Sequence, residues 1–352
     1  MQAKPLSMSG WVFDRLYITK KREGKSMSLT YHLKNWKQSP IGQFLREQFP
    51  QTARITKEAN SQLRSASTIR PTDPPVPYGT LGMAIDYRIR YSFALTPSDR
   101  LRTARTGAAS LSFQPLTSND DIPVDQEDIP TGVIFNFNPF VEGATRGLYD
   151  WKIFTTFFHD LDALLVKIHP VARRLESDAE QLLARYCYVL ALLDAVGRGV
   201  EEGPLFLPPK KSAHELLAIP RDAWIEDLCN MSWLFYDQCH DLLSLPYVLN
   251  PVFAGSNDVG GADADLIVDG CLMELKASIT PKFEPDWLWQ LAGYLLLDYE
   301  DAYHMRDLSI YMVRQGLRFQ WSIEEFLGLL TGNPQASLEP LRHKFRSCFS
   351  KR

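Results

Sequence analysis

An Asp-Gly dipeptide between two apolar runs constrains the fold of this 352-residue chain more than any other feature. Asp269 and Gly270 separate the predicted strands Asp263–Val268 and Cys271–Ser278. Asp-Gly favours a two-residue type I′ turn, because both turn positions need a positive φ angle. The sequence therefore predicts a tight β-hairpin in which the numbers of paired residues sum to 539.

That register sets acidic side chains opposite one another, away from the turn. Asp265 is predicted to face Glu274, and Asp263 to face Lys276. Period-two alternation puts all four side chains on one face of the hairpin. The other face is predicted to be apolar and to consist of Ala264, Leu266, Val268, Cys271, Met273 and Leu275.

The facing carboxylates predict a bound divalent cation. Directly opposed Cβ atoms lie about 4.5–5.5 Å apart, and two carboxylates that close repel each other unless a cation lies between them. Oxygen ligands favour a hard ion, Mg²⁺ or Mn²⁺. Lys276 can polarise an attacking water and offset developing negative charge. This arrangement suits hydrolysis of a phosphodiester bond.

Ordinary structural interpretations of the same residues stay open. Glu274 and Lys276 could form a surface ion pair on a half-buried hairpin, which is the usual fate of charges on a strand. Asp263 is expected to partner Lys276 rather than to bind the ion. Gln290 and Tyr294, four residues apart on an apolar helix, also fit plain core positions.

The motif Asp265…Glu274-Leu275-Lys276 resembles the PD-(D/E)xK nuclease superfamily, and Gln290-x-x-x-Tyr294 resembles a motif of its RecB-like branch. The resemblance implies that Asp265, Glu274 and the carbonyl of Leu275 bind Mg²⁺ or Mn²⁺. It implies that Lys276 is the catalytic lysine and that Gln290 and Tyr294 support the site and the substrate.

The match to the family is incomplete. Ala264 stands where the family has proline, which is not a ligand. Members often add an acid from a preceding helix, for which Glu215, Glu226 and Asp227 are candidates that the sequence does not separate. The iron–sulfur variant needs four cysteines around the core, and the five cysteines of this chain lack that pattern.

The resemblance covers about residues 207–322 and implies a restriction-endonuclease-like α/β fold. The predicted elements are a helix over 213–245, broken near Pro220, then three strands over 247–254, 263–268 and 271–278, a helix over 285–299, two strands at 308–314 and 318–321, and a helix over 323–330. This order predicts a mixed sheet flanked by helices. We expect two parts, a nuclease-like domain over 206–352 and a mostly helical basic region over 1–205.

Helices dominate the predicted N-terminal region. Apolar spacing predicts helices over 148–171 and 178–196, the second ending at Gly197 as a C-cap. Residues 78–93 fit either a strand or a helix, because their apolar side chains satisfy both periods.

Charge is distributed unevenly along the chain. Residues 1–110 contain 18 Lys+Arg and 7 Asp+Glu, a formal +11, although the whole chain has 38 against 42 and a net charge of −4. The basic residues Lys20, Lys21, Arg22 and Lys25, interleaved with aromatic residues, predict a contact with a nucleic-acid backbone. A solvated charge run and an acidic protein partner are the alternatives.

Several classes of protein are disfavoured. The chain has no Cys-x-x-Cys pair and no phosphate-binding Gly-x-x-x-x-Gly-Lys-Ser/Thr loop, so a partner chain is expected to supply any ATPase or recognition function. The apolar runs are too short to cross a membrane, and a cytoplasmic location is expected.

Taken together, these features predict a Mg²⁺-dependent nuclease that favours DNA over RNA. The family resemblance implies restriction, repair or phage defence, and it leaves homo-oligomerisation open. The alternative is an inactive nuclease-fold module that binds nucleic acid or assembles a partner complex.

Overall fold

The computed structural model describes residues 28–73, 76–95, 98–112, 149–198 and 210–349. They form one five-stranded sheet with helices against both of its faces. The α-helices are α1 (Leu29–Lys34), α2 (Pro40–Gln48), α3 (Thr52–Leu63), α4 (Tyr78–Tyr91), α5 (Ser98–Ser112), α6 (Trp151–Ile168), α7 (Ser177–Gly197), α8 (Ala213–Leu217), α9 (Asp222–Cys239), α10 (Pro285–Leu297), α11 (Ile323–Thr331) and α12 (Leu338–Ser347). The strands are β1 (Tyr247–Leu249), β2 (Leu266–Val268), β3 (Cys271–Lys276), β4 (Asp307–Met312) and β5 (Leu317–Ser322). The predicted α/β class, with a mixed sheet and a mostly helical N-terminal region, is confirmed.

The sheet has the strand order β1-β2-β3-β4-β5. Strands β3 and β4 are parallel and are connected through α10, whereas the other neighbours are antiparallel. A parallel pair needs a long connection, and here a helix provides it. The parallel pairing places the C-terminal end of β3 beside the C-terminal end of β4. There the amide of Val313, the residue after β4, donates to the Lys276 carbonyl.

The predicted hairpin register is confirmed. Leu266 pairs with Met273, Ile267 with Leu272, and Val268 with Cys271. Asp269 and Gly270 both have positive φ angles, 45° and 74°, as a type I′ turn requires. Local turn chemistry therefore determines how the two strands align.

The first two strands are shorter than predicted. Strand β1 ends at Leu249, because Asn250 adopts a positive φ of 50° and Pro251 has no amide hydrogen. Strand β2 begins only at Leu266, and Asp263 joins the sheet through an isolated bridge to Val252. The acidic residues consequently lie just beyond the regular ladder.

Both faces of the sheet are buried, which corrects the expectation of a single apolar face. Leu266, Val268 and Met273 pack into a core with α4–α9. Ile267 and Leu272 pack into a second core with α1–α3 and α10–α12. Ala264 belongs to this second core, contrary to the prediction, because it lies before the strand begins and escapes strict alternation.

Residues 78–93 are resolved in favour of a helix. Helix α4 is buried around most of its circumference, including Asp86, Arg88 and Arg90. A helix covered on several sides presents apolar residues at many spacings, so its sequence also matches the alternation of a strand. The break predicted near Pro220 is confirmed, since α8 ends at Leu217 and α9 starts at Asp222.

Gly197 has a different role from the predicted C-cap. It lies inside the last turn of α7, and Arg198 follows as the cap in a right-handed conformation. A Cβ atom at Gly197 would lie 2.3 Å from the carbonyl oxygen of Thr103 on α5. Close packing of α5 on α7 therefore accounts for this glycine.

Helices from the first 205 residues contact both faces of the sheet, through α1–α3 on one side and α4–α7 on the other. The division of the chain at residue 205 stays a prediction. Within the described part of the chain, no helix is both long enough and apolar enough to span a membrane.

Candidate active site

The predicted acidic pair lies at the open end of the hairpin, just beyond the last regular backbone pair of β2 and β3. Asp265 immediately precedes β2, and Glu274 lies near the end of β3. The amide of Leu275 donates a hydrogen bond of 2.7 Å to Oδ2 of Asp265, so this side chain continues the ladder beyond the last backbone pair. Because the amide and carbonyl of one strand residue point to the same neighbouring strand, the Leu275 carbonyl is directed to the Asp265 side.

Lys276 is held by two partners from the predicted set. Its Nζ donates to Oε1 of Glu274 at 2.9 Å and to Oε1 of Gln290 at 2.8 Å. The expected pairing of Lys276 with Asp263 is replaced by these contacts, and the Asp263 carboxylate lies 3.8 Å from Nη2 of Arg198. The short β2 strand explains the difference, because Asp263 lies outside the pairing with β3.

Gln290 and Tyr294 continue this chain of hydrogen bonds along α10. Nε2 of Gln290 donates to the Tyr294 hydroxyl at 2.8 Å, and that hydroxyl donates to the Asp263 carbonyl at 3.1 Å. Spacing of four residues puts both side chains on one helix face, as predicted. Tyr294 is 4% exposed, and its burial raises the pKa of the phenol.

Helix α4 contributes an acid and a cation, Asp86 and Arg90, which the sequence analysis did not place at this site. Nη2 of Arg90 lies 2.8 Å from Oδ1 of Asp86 and 3.6 Å from Oδ1 of Asp265. Asp86 also lies close enough to Glu274 for its charge to raise the pKa of that carboxyl. The available signal was the pair Asp86 and Arg90 at i and i+4 in an otherwise apolar helical stripe.

The three upstream acids proposed from the sequence have other surroundings. Asp227 is buried and accepts two hydrogen bonds of 2.7 Å from Arg314. Glu215 accepts from the Lys211 amide at the start of α8, and Glu226 is exposed on α9. These contacts give Asp227 and Glu215 structural roles away from the acidic pair. The additional acid near Glu274 is Asp86, whose charge raises the pKa of Glu274.

Glu274 has an unusual electrostatic environment. Burial, the largest cause, and the negative charge of Asp265 together raise its pKa to about 7, and Lys276 opposes the shift. Its Oε2 atom is buried and has no hydrogen-bond partner among the described residues. A buried carboxylate oxygen without a partner is costly, so a bound cation or water would stabilise this position.

The donor set fits a hard divalent cation that binds few protein ligands. Asp265, Glu274 and the Leu275 carbonyl offer only oxygen atoms, which Mg²⁺ prefers. No cluster of three or more His, Cys, Asp or Glu side chains suited to a metal occurs among the described residues. Mg²⁺ commonly binds one or two carboxylates and retains several waters, so two acids are compatible with it.

A cavity of about 260 Å³ opens at these residues. It is lined by Ser28, Leu29, Thr30, Met83, Arg198, Gly261, Ala262, Asp263, Asp265, Glu274, Gln290 and Tyr294. The acidic pair, Gln290 and Tyr294 thus face one shared space. The predicted nucleic-acid contacts Lys20, Lys21, Arg22 and Lys25 fall outside the described residues.

Comparisons with known proteins add no assignment. A scan against models of protein families, a search of curated proteins and a search of solved structures each found no match.

Proposed function

We propose that this chain is a Mg²⁺-dependent nuclease of the PD-(D/E)xK type, with a restriction-endonuclease-like core and a preference for DNA over RNA. One observation carries the proposal. Asp265 and Glu274 share a cavity with Oε2 of Glu274 unpartnered among the described residues, and Lys276 is bound to the same carboxylate. The sequence motif alone would recur by chance, so the convergence of these side chains in one cavity supports the proposal more than the motif does.

Asp265, Glu274 and the Leu275 carbonyl would hold the ion. When bound, Mg²⁺ would lower the pKa of a water and neutralise charge on the phosphodiester. Lys276 would donate hydrogen bonds to the phosphoryl oxygens as negative charge develops on them. Gln290 and Tyr294 would keep the Lys276 ammonium oriented, since they form a continuous hydrogen-bonded chain to it.

The test is cleavage of end-labelled single- and double-stranded DNA and RNA in the presence of MgCl₂, MnCl₂ or EDTA. Wild type is expected to cut DNA with either metal and not with EDTA. Lys276→Ala and Glu274→Gln are expected to lower the rate at least 100-fold, in line with loss of a group that stabilises the transition state. Both variants should keep a cooperative thermal transition.

Lys282→Ala is the matched control. Lys282 pairs with Glu284 at 2.9 Å, is 61% exposed, and does not line the cavity. Its removal should leave cleavage unchanged. Wild type that cuts none of the four substrates with either metal would contradict the proposal.

A second candidate function follows from Arg90. Its guanidinium lies between Asp86 and Asp265, so the protein itself supplies a cation to the acidic site. That observation favours a nuclease-fold module that binds nucleic acid or a partner without cutting. Titration calorimetry with MgCl₂ separates the two functions. A nuclease should release heat on binding Mg²⁺, and Glu274→Gln should abolish that heat. A non-cutting module should give the same signal in wild type and in Glu274→Gln.

A further inference from the structure

Trp287 lies beside the lysine of the candidate active site. It is in the first turn of α10, three residues before Gln290 and seven before Tyr294, so the three side chains share one helix face. The Lys276 ammonium, which donates to Gln290, lies 5.9 Å from the centroid of the indole ring. Successive phosphates of a DNA strand are about 3.4 Å apart along the helix axis, so this distance spans no more than about two nucleotides. A nucleotide whose phosphate contacts Lys276 therefore brings its own base or the next one near Trp287.

The surroundings of Trp287 differ from those of a core tryptophan. Two residues further along α10, Trp289 is 7% exposed, and its indole N–H donates to the Phe49 carbonyl at 3.1 Å. Trp287 is half-buried, and its indole N–H, which is not buried, donates to no described residue. The indole N–H of a buried tryptophan usually has a hydrogen-bond partner. The Trp287 ring therefore retains an accessible edge next to Lys276.

The Trp287 ring is anchored by Phe283. The two ring centroids are 5.3 Å apart and the planes meet at 68°, an edge-to-face contact. Phe283 is fully buried, and the Asn60 side chain accepts from its amide at 2.8 Å and donates to its carbonyl at 3.2 Å. A large planar side chain that is already held in place loses little conformational entropy when it binds a ligand.

An aromatic ring next to a phosphate-binding cation suits a nucleobase. Proteins that bind single strands combine cations that follow the backbone with aromatic rings on which bases stack, and every base has a π face. Bases within a duplex are already stacked on one another, and unstacking them costs free energy. An aromatic contact at this site therefore favours a strand whose bases are unpaired.

We propose that Trp287 stacks on a base of a single-stranded substrate, next to the phosphate that Lys276 contacts. The inference rests on the proposed nuclease function and adds the substrate class, which is DNA that is single-stranded where it is cut. Trp287 acts as a binding residue, and Phe283 and Asn60 position it.

The experiment compares two labelled single strands of equal length. One consists of thymidines, and the other is abasic throughout, so it offers the same phosphates without bases. Fluorescence anisotropy with EDTA gives their affinities for wild type, Trp287→Leu and Trp287→Phe. Wild type should bind the thymidine strand at least tenfold more tightly, and Trp287→Leu should reduce that preference about tenfold, as loss of one stacked base implies. Trp287→Phe should keep part of the preference because it retains an aromatic ring.

The ratio of the two affinities separates stacking from an indirect effect on Lys276. A substitution that acts only by disturbing Lys276 would weaken both strands equally, because this lysine contacts phosphate, and that result would overturn the inference. Duplex DNA provides a further comparison. Its affinity should be the same for wild type and Trp287→Leu, since its bases are not free to stack on the indole.

Trp233→Leu is the matched control. Trp233 is also half-buried, and the guanidinium of Arg174, which is 48% exposed, lies 5.1 Å from the centroid of its ring. Trp233 packs against the core that contains α4–α9, whereas Trp287 packs against the core on the opposite face of the sheet. Its removal should leave the preference for the thymidine strand unchanged.

The outcomes distinguish this inference from the proposed function. An unchanged preference in a folded Trp287→Leu variant would overturn the inference, whether or not wild type cuts DNA. A wild type that binds both strands equally, or binds neither, would overturn it as well. Loss of the preference specific to Trp287 in a protein that never cuts would support stacking and contradict the nuclease proposal. If Trp287→Leu fails to fold, Trp287→Met, which keeps an apolar side chain against Phe283 without a π face, gives the same comparison.

Discussion

Nη2 of Arg90 lies 3.6 Å from Oδ1 of Asp265, although α4 and the hairpin are far apart in the sequence. The same guanidinium pairs with Asp86 at 2.8 Å. Three buried or half-buried acids thus share a space with two cations, Arg90 and Lys276. Arg90 and Lys276 therefore neutralise part of the negative charge of the three acids. The remaining negative charge can attract a further cation.

Arg90→Gln should destabilise the protein strongly when divalent ions are absent. Asp86 and Asp265 would lose a fully buried cation, and breaking such a pair costs about 3–5 kcal/mol. MgCl₂ should recover part of that loss if the acids can bind it. Urea unfolding with and without MgCl₂ measures both effects, with Arg174→Gln as the exposed control. An equal effect of MgCl₂ on both variants would show that Arg90 does not share its acids with an ion.

Glu274→Gln should change how stability depends on pH. The folded-state pKa of Glu274 is raised from its ordinary value of 4.5 to about 7, so the folded state retains a proton that the unfolded chain releases. Its stabilising contribution is full below about pH 4.5 and is lost as pH rises to about 7. Without metal, wild type should lose on the order of 3 kcal/mol over that window through this group. The Glu274→Gln variant should lose less of its free energy of unfolding over the same pH range. Urea unfolding at several pH values measures the difference.

The same pKa predicts the pH dependence of metal binding. Glu274 must be ionised to bind a cation, so Mg²⁺ affinity and cleavage should rise as pH increases through about 7. Calorimetric titration with MgCl₂ between pH 6 and 8, taken as a span of about one unit on each side of that pKa, measures the affinity. An affinity independent of pH would place the ion elsewhere.

Tyr294→Phe should slow cleavage without weakening substrate binding. The hydroxyl accepts from Gln290 and donates to the Asp263 carbonyl, so its loss frees Gln290 and, through it, Lys276. We expect kcat to fall about tenfold with little change in KM, the signature of a group needed for orientation in the transition state. Tyr303→Phe is the control, because its hydroxyl donates to the Val252 carbonyl at an exposed position. A Tyr294→Phe variant with wild-type kcat would show that the hydrogen bonds from Tyr294 through Gln290 to Lys276 do not contribute to catalysis.

Gly107→Ala should destabilise the packing of α5 on α7. A Cβ atom there would lie 1.8 Å from the carbonyl oxygen of Leu193, so the two helices would have to separate. Overpacking of this kind costs about 1–3 kcal/mol, occasionally more. Gly79→Ala is the control, because its Cβ would meet nothing within 4 Å at the start of α4. Thermal unfolding should separate the two variants, and equal melting temperatures would contradict the close helix contact.

Much of the candidate site was predictable because its determinants are local. The Asp-Gly turn determines the register of β2 on β3, which brings Asp265 beside Leu275 and Glu274. Helical periodicity puts Gln290 and Tyr294 on one face of α10. Lys276 can then donate to both Glu274 and Gln290 as soon as α10 packs near the end of β3.

The errors arose where the environment is set by distant segments. Helix α4 was ambiguous because burial on several sides removes the contrast between helical and alternating patterns. Ala264 was assigned to the wrong core because strand alternation was extended beyond the start of β2. Gly197 was interpreted as a cap, although a close approach of α5 explains it better.

The sequence by itself determined the turn, the register and the order of elements, because backbone dihedral preferences and side-chain periodicity act over a few neighbouring residues. Tertiary structure decided that α4 delivers Asp86 and Arg90 to the acidic pair, that both faces of the sheet are covered, and that Trp287 lies beside Lys276. These relationships depend on how helices pack around the whole sheet, and the free energy of that packing is summed over apolar contacts from every part of the described chain.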